Sequence, residues 1–306
     1  EMNGKKTAIL IPCYNEEKTI TNVIKGFRKA LPHADIYVYD NNSTDRTAEL
    51  ATMEGAIVKK ESRQGKGFVV RSMFHQIDAD CYILVDGDDT YPPEAAKELE
   101  KAILEDEYDM VIGDRLSSTY FMENKRKFHN GGNKAVRFLI NHIFKANIRD
   151  IMTGYRSFSR LFVKSFPILS HGFEIETEMT IHALDKNFKI MEVPVQYRDR
   201  PEGSVSKLNT ISDGIRVMKT IAVLYRDYKP LEFFSLFSLA GILISTIFFI
   251  PILQEYLRTG LVAKFPTLIV CGVVMTISIL LFICGIILHV ISKKHRQLYE
   301  LFLLKI

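Results

Sequence analysis

Cysteine is scarce in this chain, and its four residues at positions 13, 81, 271 and 284 lack the paired spacing of zinc sites. They form no disulfide framework either, which is consistent with a reducing cytoplasm. No Gly-x-Gly-x-x-Gly follows a predicted strand and no Gly-x-x-x-x-Gly-Lys-Ser/Thr occurs, so the fingerprints of dinucleotide and P-loop sites are absent. A net charge of only +4, without a basic block interleaved with aromatics, argues against nucleic acid as a partner.

Long apolar runs are present in the carboxyl-terminal third. Phe233 to Leu253 carries no charge, and Leu268 to Ile291 contains one histidine near its end. About 20 apolar residues suffice to cross a bilayer, so both runs are predicted transmembrane helices, with a buried core helix as the alternative. Two helices form no pore alone and are therefore interpreted as an anchor.

Lysine and arginine flank the two runs unequally. The loop between them holds only Arg258 and Lys264, beside Glu255. The positive-inside rule therefore predicts that the amino-terminal domain and the carboxyl-terminal tail are cytoplasmic. The flanking cations on that side are Lys219, Arg226, Lys229, Lys293, Lys294 and Arg296.

Strand and helix patterns alternate over the first 113 residues, which predicts an α/β domain with a mainly parallel sheet covered on both faces. Ligands of such sheets bind beyond the carboxyl ends of the strands. The predicted strands are Thr7–Pro12, Ile36–Tyr39, Ala56–Val58, Cys81–Val85 and Met110–Ile112. The predicted helices are Glu17–Leu31, one opening at Ser43–Asp45, Gly67–Gln76 and Pro93–Leu104.

The most informative junction is the end of the fourth predicted strand, where an apolar run stops at Asp86-Gly87-Asp88-Asp89. Glycine permits a sharp turn, so the carboxylates of Asp86 and Asp88 can converge. Hard oxygen ligands of this kind suit Mg²⁺ or Mn²⁺, and Mg²⁺ usually binds through one or two carboxylates plus substrate phosphates. A solvated acidic turn is the alternative for a lone pair of aspartates.

Short polar motifs recur in a fixed order along the chain, mostly after the predicted strands. They are Pro12–Glu16, Asp40–Asp45, Gly65–Gly67, Asp86–Asp88, Gly113–Arg115, Asp150–Arg156 and Arg200–Lys207. Their order resembles that of family 2 glycosyltransferases with the GT-A fold. The last two motifs resemble the branch that acts on dolichyl or undecaprenyl phosphate and carries two carboxyl-terminal transmembrane helices. The resemblance covers about residues 7–210.

The resemblance implies an inverting, metal-dependent transfer of a hexose, glucose or N-acetylglucosamine, from a nucleotide sugar to a polyprenyl phosphate at the cytoplasmic membrane face. A UDP-sugar, undecaprenyl or dolichyl phosphate and the bilayer are the expected partners, and a homo-oligomer is compatible with the pattern. The expected domains are a catalytic domain over 1–209, a juxtamembrane amphipathic helix over 210–230, and a hairpin with a cytoplasmic tail over 231–306. Packing of the middle segment against the catalytic domain is its alternative.

The site residues are carried over from the resemblance by motif. Asp86, Asp88, Asp150 and Arg126 are the expected catalytic residues, and Mg²⁺ or Mn²⁺ is expected at Asp86, Asp88 and Thr90. Thr90 stands where family members often have glutamine. The expected nucleotide-sugar residues are Pro12, Tyr14, Glu16, Asp40, Asn42, Lys66, Asp86, Arg115 and Arg200. The expected acceptor-phosphate residues are Arg126, Asn130, Arg156 and Lys207.

Several of these residues allow more than one role. Asn42 replaces a usual glycine, and asparagine tolerates the left-handed backbone. Asp150 matches a position sometimes proposed as a base, but a largely ionised phosphate acceptor needs none, so we expect it to orient Arg156. One glutamate among 174, 176 and 178 is expected to hold sugar hydroxyls, with capping of a helix start as the alternative.

Three alternatives to this function fit the sequence less well. A processive polysaccharide synthase would need a Gln-x-x-Arg-Trp motif, which a chain without tryptophan cannot contain. A nucleotidyltransferase would not require the membrane hairpin. A non-enzymatic membrane scaffold would not require the carboxylates and arginines.

Overall fold

The computed structural model describes residues 4–117, 137–168, 174–196, 198, 218–219, 222–223 and 225–303. The chain divides into two compact units, one within residues 1–218 and the other within residues 219–305. The boundary falls inside the predicted juxtamembrane segment, most of which lies outside the described residues, so the amphipathic helix stays a prediction.

The first unit is built on a seven-stranded sheet with the strand order β3-β2-β1-β4-β6-β5-β7. Strands β1, β4 and β5 are buried along nearly their whole length, which explains their continuous apolar sequences. The strands are β1 Thr7–Cys13, β2 Asp35–Asp40, β3 Ile57–Lys60, β4 Cys81–Leu84, β5 Met110–Asp114, β6 Arg156–Ser159 and β7 Ile190–Pro194.

Helices connect the strands and cover the sheet. The first helix buries Ile20, Val23, Ile24 and Phe27, the spacing of one helical face. It begins later than predicted, since residues 17–19 form a turn in which the carbonyl of Glu16 accepts hydrogen bonds from the amides at positions 19 and 20. The helices of this unit are α1 Ile20–Ala30, α2 Thr47–Met53, α3 Lys66–Gln76, α4 Ala96–Leu104, α5 Arg160–Ser165 and α6 Ile175–Asp185, with a 3₁₀ turn at Pro93–Ala95.

Strand β6 interrupts the parallel arrangement. It lies between β4 and β5 and runs antiparallel to both, with Arg156 opposite Leu84 and Ile112. An antiparallel strand begins where its neighbours end. The loop that leads into β6, residues 150–155, therefore lies at the same edge of the sheet as the ends of β4 and β5.

The second unit contains α7 Pro230–Thr259 and α8 Phe265–Leu303, both long and apolar enough to cross a membrane. The two helices pack closely where small residues meet: an added Cβ at Gly285 would lie 3.0 Å from the Cβ of Phe234. Ser245 Oγ donates a hydrogen bond to the Cys271 carbonyl oxygen at 2.9 Å. The predicted runs lie inside these helices.

The start of the hairpin is fastened to its second helix. Ser292 Oγ donates to the carbonyl oxygen of Asp227 at 3.3 Å, and Arg296 Nη2 donates to that of Tyr228 at 3.1 Å. These hydrogen bonds hold the residues that precede α7 beside the last turns of α8.

Candidate active site at the carboxyl edge of the sheet

The loops after β2 and β3 are joined through one buried amide. Asn41 Nδ2 donates hydrogen bonds to the carbonyl oxygens of Glu61 at 2.9 Å and Arg63 at 2.8 Å. Its Oδ1 accepts from the Gly65 amide at 2.8 Å. Because Gly65 directly precedes α3, this asparagine fixes where that helix begins. The sequence motif contained Asn41, but this linking role was not predicted.

The loops after β1 and β2 are interlocked in the same way. The Asn15 amide donates to Ser43 Oγ at 2.9 Å, and the Thr44 amide donates to Asn15 Oδ1 at 2.8 Å. The Glu16 amide donates to Thr47 Oγ1 at 2.8 Å. These reciprocal bonds preorganise the edge at which a ligand of a parallel sheet binds.

The acidic turn after β4 is held by its own side chains. Thr90 Oγ1 donates to Asp88 Oδ1 at 2.7 Å, and both residues are buried. Between them Asp89 has the left-handed φ of 58°, which closes the turn. Thr19 Oγ1 donates to the Gly87 carbonyl at 2.6 Å and ties the turn to α1. Thr90, the expected metal residue, thus orients the Asp88 carboxylate.

Asp86 is paired with a buried lysine. Lys66 Nζ lies 2.6 Å from Asp86 Oδ1 and 2.5 Å from Glu176 Oε1. Burial acts to lower the pKa of Lys66, but the two carboxylates outweigh it and raise that pKa above its usual range. The sequence indicated Lys66 and Glu176 separately, and the structure brings both to Asp86.

Close packing against a glycine restricts the other oxygen of Asp86. A Cβ added to Gly154 would clash with Asp86 Oδ2, so any larger residue would displace the carboxylate from its present position. The Gly154 amide donates to the hydroxyl of Tyr91 at 3.1 Å, which holds the loop in place. Gly154 was part of a quoted motif, and Tyr91 was not predicted.

The hydrogen-bonded partner of Asp150 is Arg115 and not the expected Arg156, which acts on Asp150 through its charge. Arg115 Nε and Nη2 donate to Asp150 Oδ2 and Oδ1 at 2.8 and 3.0 Å. Burial acts to raise the pKa of Asp150, but the charge and hydrogen bonds of Arg115 outweigh it and hold that pKa below its usual range. Glu192 Oε1 accepts from the Asp150 amide at 3.2 Å and supports the loop.

Arg156 also differs from its predicted place at an acceptor phosphate. Its side chain is fully buried and donates to the carbonyl oxygens of Ile151 at 2.5 Å and Thr153 at 3.0 Å, and to Thr180 Oγ1 at 2.8 Å. Burial lowers the pKa of Arg156 to about 10, which leaves the guanidinium charged at neutral pH. As the first residue of a central strand, it holds the interior of the sheet instead of facing a ligand.

The remaining expected nucleotide residues lie at the same edge where the structure describes them. Asn42 has the predicted left-handed backbone, with φ of 62°. Both oxygens of Asp40 accept from the Ser43 amide at 3.3 Å, and Tyr14 is 37% exposed. Pro12 lies in β1 opposite Tyr39. Arg126, Asn130, Arg200 and Lys207 lie outside the described residues.

The donor set at the acidic turn fits a hard divalent cation. Asp86 and Asp88 supply carboxylate oxygens, the ligands through which Mg²⁺ usually binds together with substrate phosphates. Among the residues that the structure describes, no group of three histidine, cysteine, aspartate or glutamate side chains is placed to hold a metal ion.

Residues 8–166, about half of the chain, match the family described as Glycosyl transferase family 2. The chain belongs to this family. Over 94% of both chains it is 32% identical to the glycosyltransferase AglJ of Haloferax volcanii. Its relatives also include the dolichyl-phosphate hexose transferase of the same organism, 29% identical over 70% of this chain and 91% of that protein.

Solved structures confirm the GT-A fold. The glucosyl-3-phosphoglycerate synthase of Mycobacterium tuberculosis, solved with Mn²⁺, uridine diphosphate and glucosyl-3-phosphoglycerate, superposes with a TM-score of 0.58. The sequences are 20% identical, and the alignment covers 73% of this chain and 80% of the other. The mainly parallel sheet is thus the scaffold of a family 2 glycosyltransferase.

Proposed function

We propose that this glycosyltransferase moves a hexose, glucose or N-acetylglucosamine, from a UDP-sugar to the phosphate of undecaprenyl or dolichyl phosphate. The observation that carries the proposal is the presence in one chain of the Asp86–Asp88 turn and of two helices apolar enough to cross a bilayer. The name of the dolichyl-phosphate hexose transferase supports the lipid acceptor, and the Mn²⁺–UDP complex of the structural neighbour supports the donor.

The donor half of the reaction is assigned to the acidic turn and its neighbours. Departure of a nucleoside diphosphate develops negative charge, and a Mg²⁺ or Mn²⁺ ion held by Asp86 and Asp88 would offset it. Thr90 orients Asp88, while Lys66 and Gly154 confine Asp86. The nucleotide itself is assigned to the interlocked loops after β1, β2 and β3.

The acceptor half needs cations more than it needs a base. A phosphate monoester is largely ionised near neutral pH and can attack without losing a proton. Asp150 is committed to Arg115 by two hydrogen bonds, which supports an orienting role for it. Arg126, with Asn130 and Lys207, is assigned to the acceptor phosphate, and Arg115 with Arg200 to the pyrophosphate.

We also propose that the hairpin anchors the catalytic domain on the cytoplasmic face. Cations cluster at the end of the hairpin where Arg296 contacts Tyr228, and the positive-inside rule places that end in the cytoplasm. Cysteines introduced singly at Gln297 and at Gly260 should therefore differ in their reaction with an impermeant maleimide added to sealed vesicles of known orientation. Labelling of Gly260→Cys from the cytoplasmic side would contradict this orientation.

The decisive experiment for the reaction uses the purified full chain in lipid nanodiscs. UDP-glucose, UDP-N-acetylglucosamine and GDP-mannose are each supplied with undecaprenyl or dolichyl phosphate, and the lipid products are identified by mass spectrometry. One UDP-sugar should give a glycosylated lipid phosphate in Mn²⁺ or Mg²⁺ and none in excess chelator. Nucleotide release without any glycosylated lipid, with every acceptor, would contradict the proposal.

A further inference from the structure

Lys66 is enclosed by two carboxylates that come from distant parts of the chain. Its Nζ lies 2.6 Å from Asp86 Oδ1 and 2.5 Å from Glu176 Oε1, and 110 residues separate the lysine from Glu176. The lysine side chain is 7% exposed and that of Glu176 is 5% exposed, whereas that of Asp86 is 30% exposed. The ammonium is thus shielded from solvent while Asp86 faces the site.

Glu176 is not explained by its contribution to packing. Its Oε2 is buried without a hydrogen-bond partner among the described residues, which is an unfavourable arrangement for a carboxylate. Breaking a buried ion pair is costly, but replacing the whole pair by apolar groups is often neutral or stabilising. A buried pair that touches a candidate metal ligand therefore indicates a role in the chemistry of that ligand.

We propose that the Lys66–Glu176 pair sets the net charge around Asp86, so that a divalent cation binds tightly only together with a nucleoside diphosphate. The proposal rests on the metal-dependent proposed function. Lys66 acts through Asp86, and Glu176 acts through Lys66.

The ion-paired group of Lys66, Asp86 and Glu176 carries one net negative charge, and the charge of Arg156 acts on Glu176 from outside the group. The ammonium directly offsets the carboxylate that faces the site. A divalent cation is attracted less by this group than by two unpaired carboxylates. A diphosphate adds the missing negative charge, so cation and nucleotide should each strengthen the binding of the other.

The test uses variants that make this charge more negative or less negative. Mn²⁺ affinity is measured by electron paramagnetic resonance on the full chain in detergent, both without and with UDP. Lys66→Met makes the local charge more negative and should tighten Mn²⁺ binding without UDP on the order of ten- to a hundredfold. The additional gain from UDP should shrink in this variant. Glu176→Gln keeps a hydrogen-bond acceptor but removes a negative charge, and should weaken Mn²⁺ binding.

A double variant covers the case in which Lys66→Met fails to fold because it leaves Glu176 without a cation. Lys66→Met with Glu176→Gln restores the single net charge, so its Mn²⁺ affinity should lie between those of the single variants. Folding is checked by the melting temperature of each protein.

Matched controls make the same substitutions away from the site. Lys164→Met removes a partly buried lysine that donates to the carbonyl oxygens of Phe74 and Ile77 at 3.0 and 2.7 Å. Glu100→Gln alters a buried glutamate that accepts from Thr7 Oγ1 at the first residue of β1. Both controls should leave Mn²⁺ affinity unchanged with and without UDP.

The outcomes separate this proposal from the proposed function. Weaker Mn²⁺ binding in both single variants, or an unchanged effect of UDP in Lys66→Met, would overturn the charge-setting role and leave the glycosyltransferase assignment intact. Failure of the unaltered protein to bind Mn²⁺ in either condition would overturn both this proposal and the metal dependence. Opposite shifts in the two single variants would support it.

Discussion

Asp150 and Arg115 form a two-point ion pair, with Nε–Oδ2 and Nη2–Oδ1 distances of 2.8 and 3.0 Å, and the Arg115 amide donates to the same carboxylate at 3.2 Å. Such forked contacts fix both partners in direction as well as distance. Arg115 follows β5 directly, and Asp150 lies on the loop that enters β6, so the pair joins two chain segments at the candidate site.

Asp150→Asn tests whether this residue orients Arg115 or removes a proton. If it orients, turnover should fall, but the pH dependence of kcat should keep the shape of the unaltered enzyme. A base with a depressed pKa would instead impose a rising limb at acid pH that the variant loses. Steady-state rates across the pH range distinguish the two profiles.

Removal of the Asp150 charge should also reduce stability. The folded pKa lies below the ordinary value of 3.8, so the ion pair stabilises the protein above that pH, and this contribution is lost as the pH falls through the folded pKa. Breaking a buried pair costs about 3–5 kcal/mol at neutral pH. Denaturant unfolding should show this loss at pH 7 and a smaller difference at low pH. Asp35→Asn, which alters the exposed pair with Lys6, should cost at most about 1 kcal/mol.

Asp88→Asn tests the metal assignment at the acidic turn. Loss of a dominant electrostatic contact should lower turnover by about 10²–10³-fold while the fold is retained, because asparagine is nearly isosteric. Asp89→Asn is the matched control, since asparagine tolerates the left-handed backbone of Asp89 and this side chain has no assigned role. Comparable losses in the two variants would refute the specific role of Asp88.

Gly154→Ala tests the confinement of Asp86. The added methyl group would clash with Asp86 Oδ2, so the carboxylate must move. Mn²⁺ affinity in the presence of UDP should then fall by about 10–100-fold. In an Asp86→Ala background the same change should have little further effect, because the clashing group is gone. Equal losses in both backgrounds would mean that Gly154 acts through the backbone alone.

Gly285→Leu tests the packing of the hairpin. Gly285 faces Phe234 and the backbone of α7, whereas Gly272 on the same helix has no atom within 4 Å of an added Cβ. Overpacking costs about 1–3 kcal/mol, so Gly285→Leu should lower the melting temperature in detergent and Gly272→Leu should not. A lower melting temperature in Gly272→Leu alone would contradict this helix contact.

Arg126→Ala and Arg200→Ala test the assignment of the two halves of the reaction. Arg126→Ala should raise the KM for polyprenyl phosphate with little effect on UDP affinity. Loss of a hydrogen bond to a charged group costs about 1.5–3 kcal/mol, which corresponds to roughly ten- to over a hundredfold in kcat/KM. Arg200→Ala should weaken UDP binding as well. Calorimetry with UDP that finds equal damage in both variants would show that the acceptor assignment is wrong.

Local patterns in the sequence predicted the first half of the fold well. Strands β1 to β5 and helices α1 to α4 lie within a few residues of their predicted ranges, because their apolar spacing is set by burial on the sheet. Strand β6 was not predicted. Its residues Arg156 and Ser157 are polar yet fully buried, and they are stabilised by contacts with segments that are distant in sequence.

The sequence predicted which residues lie at the candidate site, but not which of their side chains form ion pairs with one another. The motifs placed Asp86, Asp88 and Lys66 correctly at the carboxyl edge of the sheet, because strand ends are local features of the sequence. The Lys66–Glu176 contact spans 110 residues, and the choice of Arg115 over Arg156 as partner of Asp150 depends on the antiparallel entry of β6. The local spacing of apolar residues does not indicate which distant side chains form a contact.

The hydrogen bonds from Ser292 and Arg296 to the residues before α7 bear on how the hairpin is made during synthesis. The residues before the first helix can make these contacts only after the second helix has left the ribosome, so we expect the first helix to take its final depth in the bilayer late. We therefore expect the two helices to insert as a pair. In a protein shortened before position 292, glycosylation mapping should find the ends of the first helix at variable depths in the membrane.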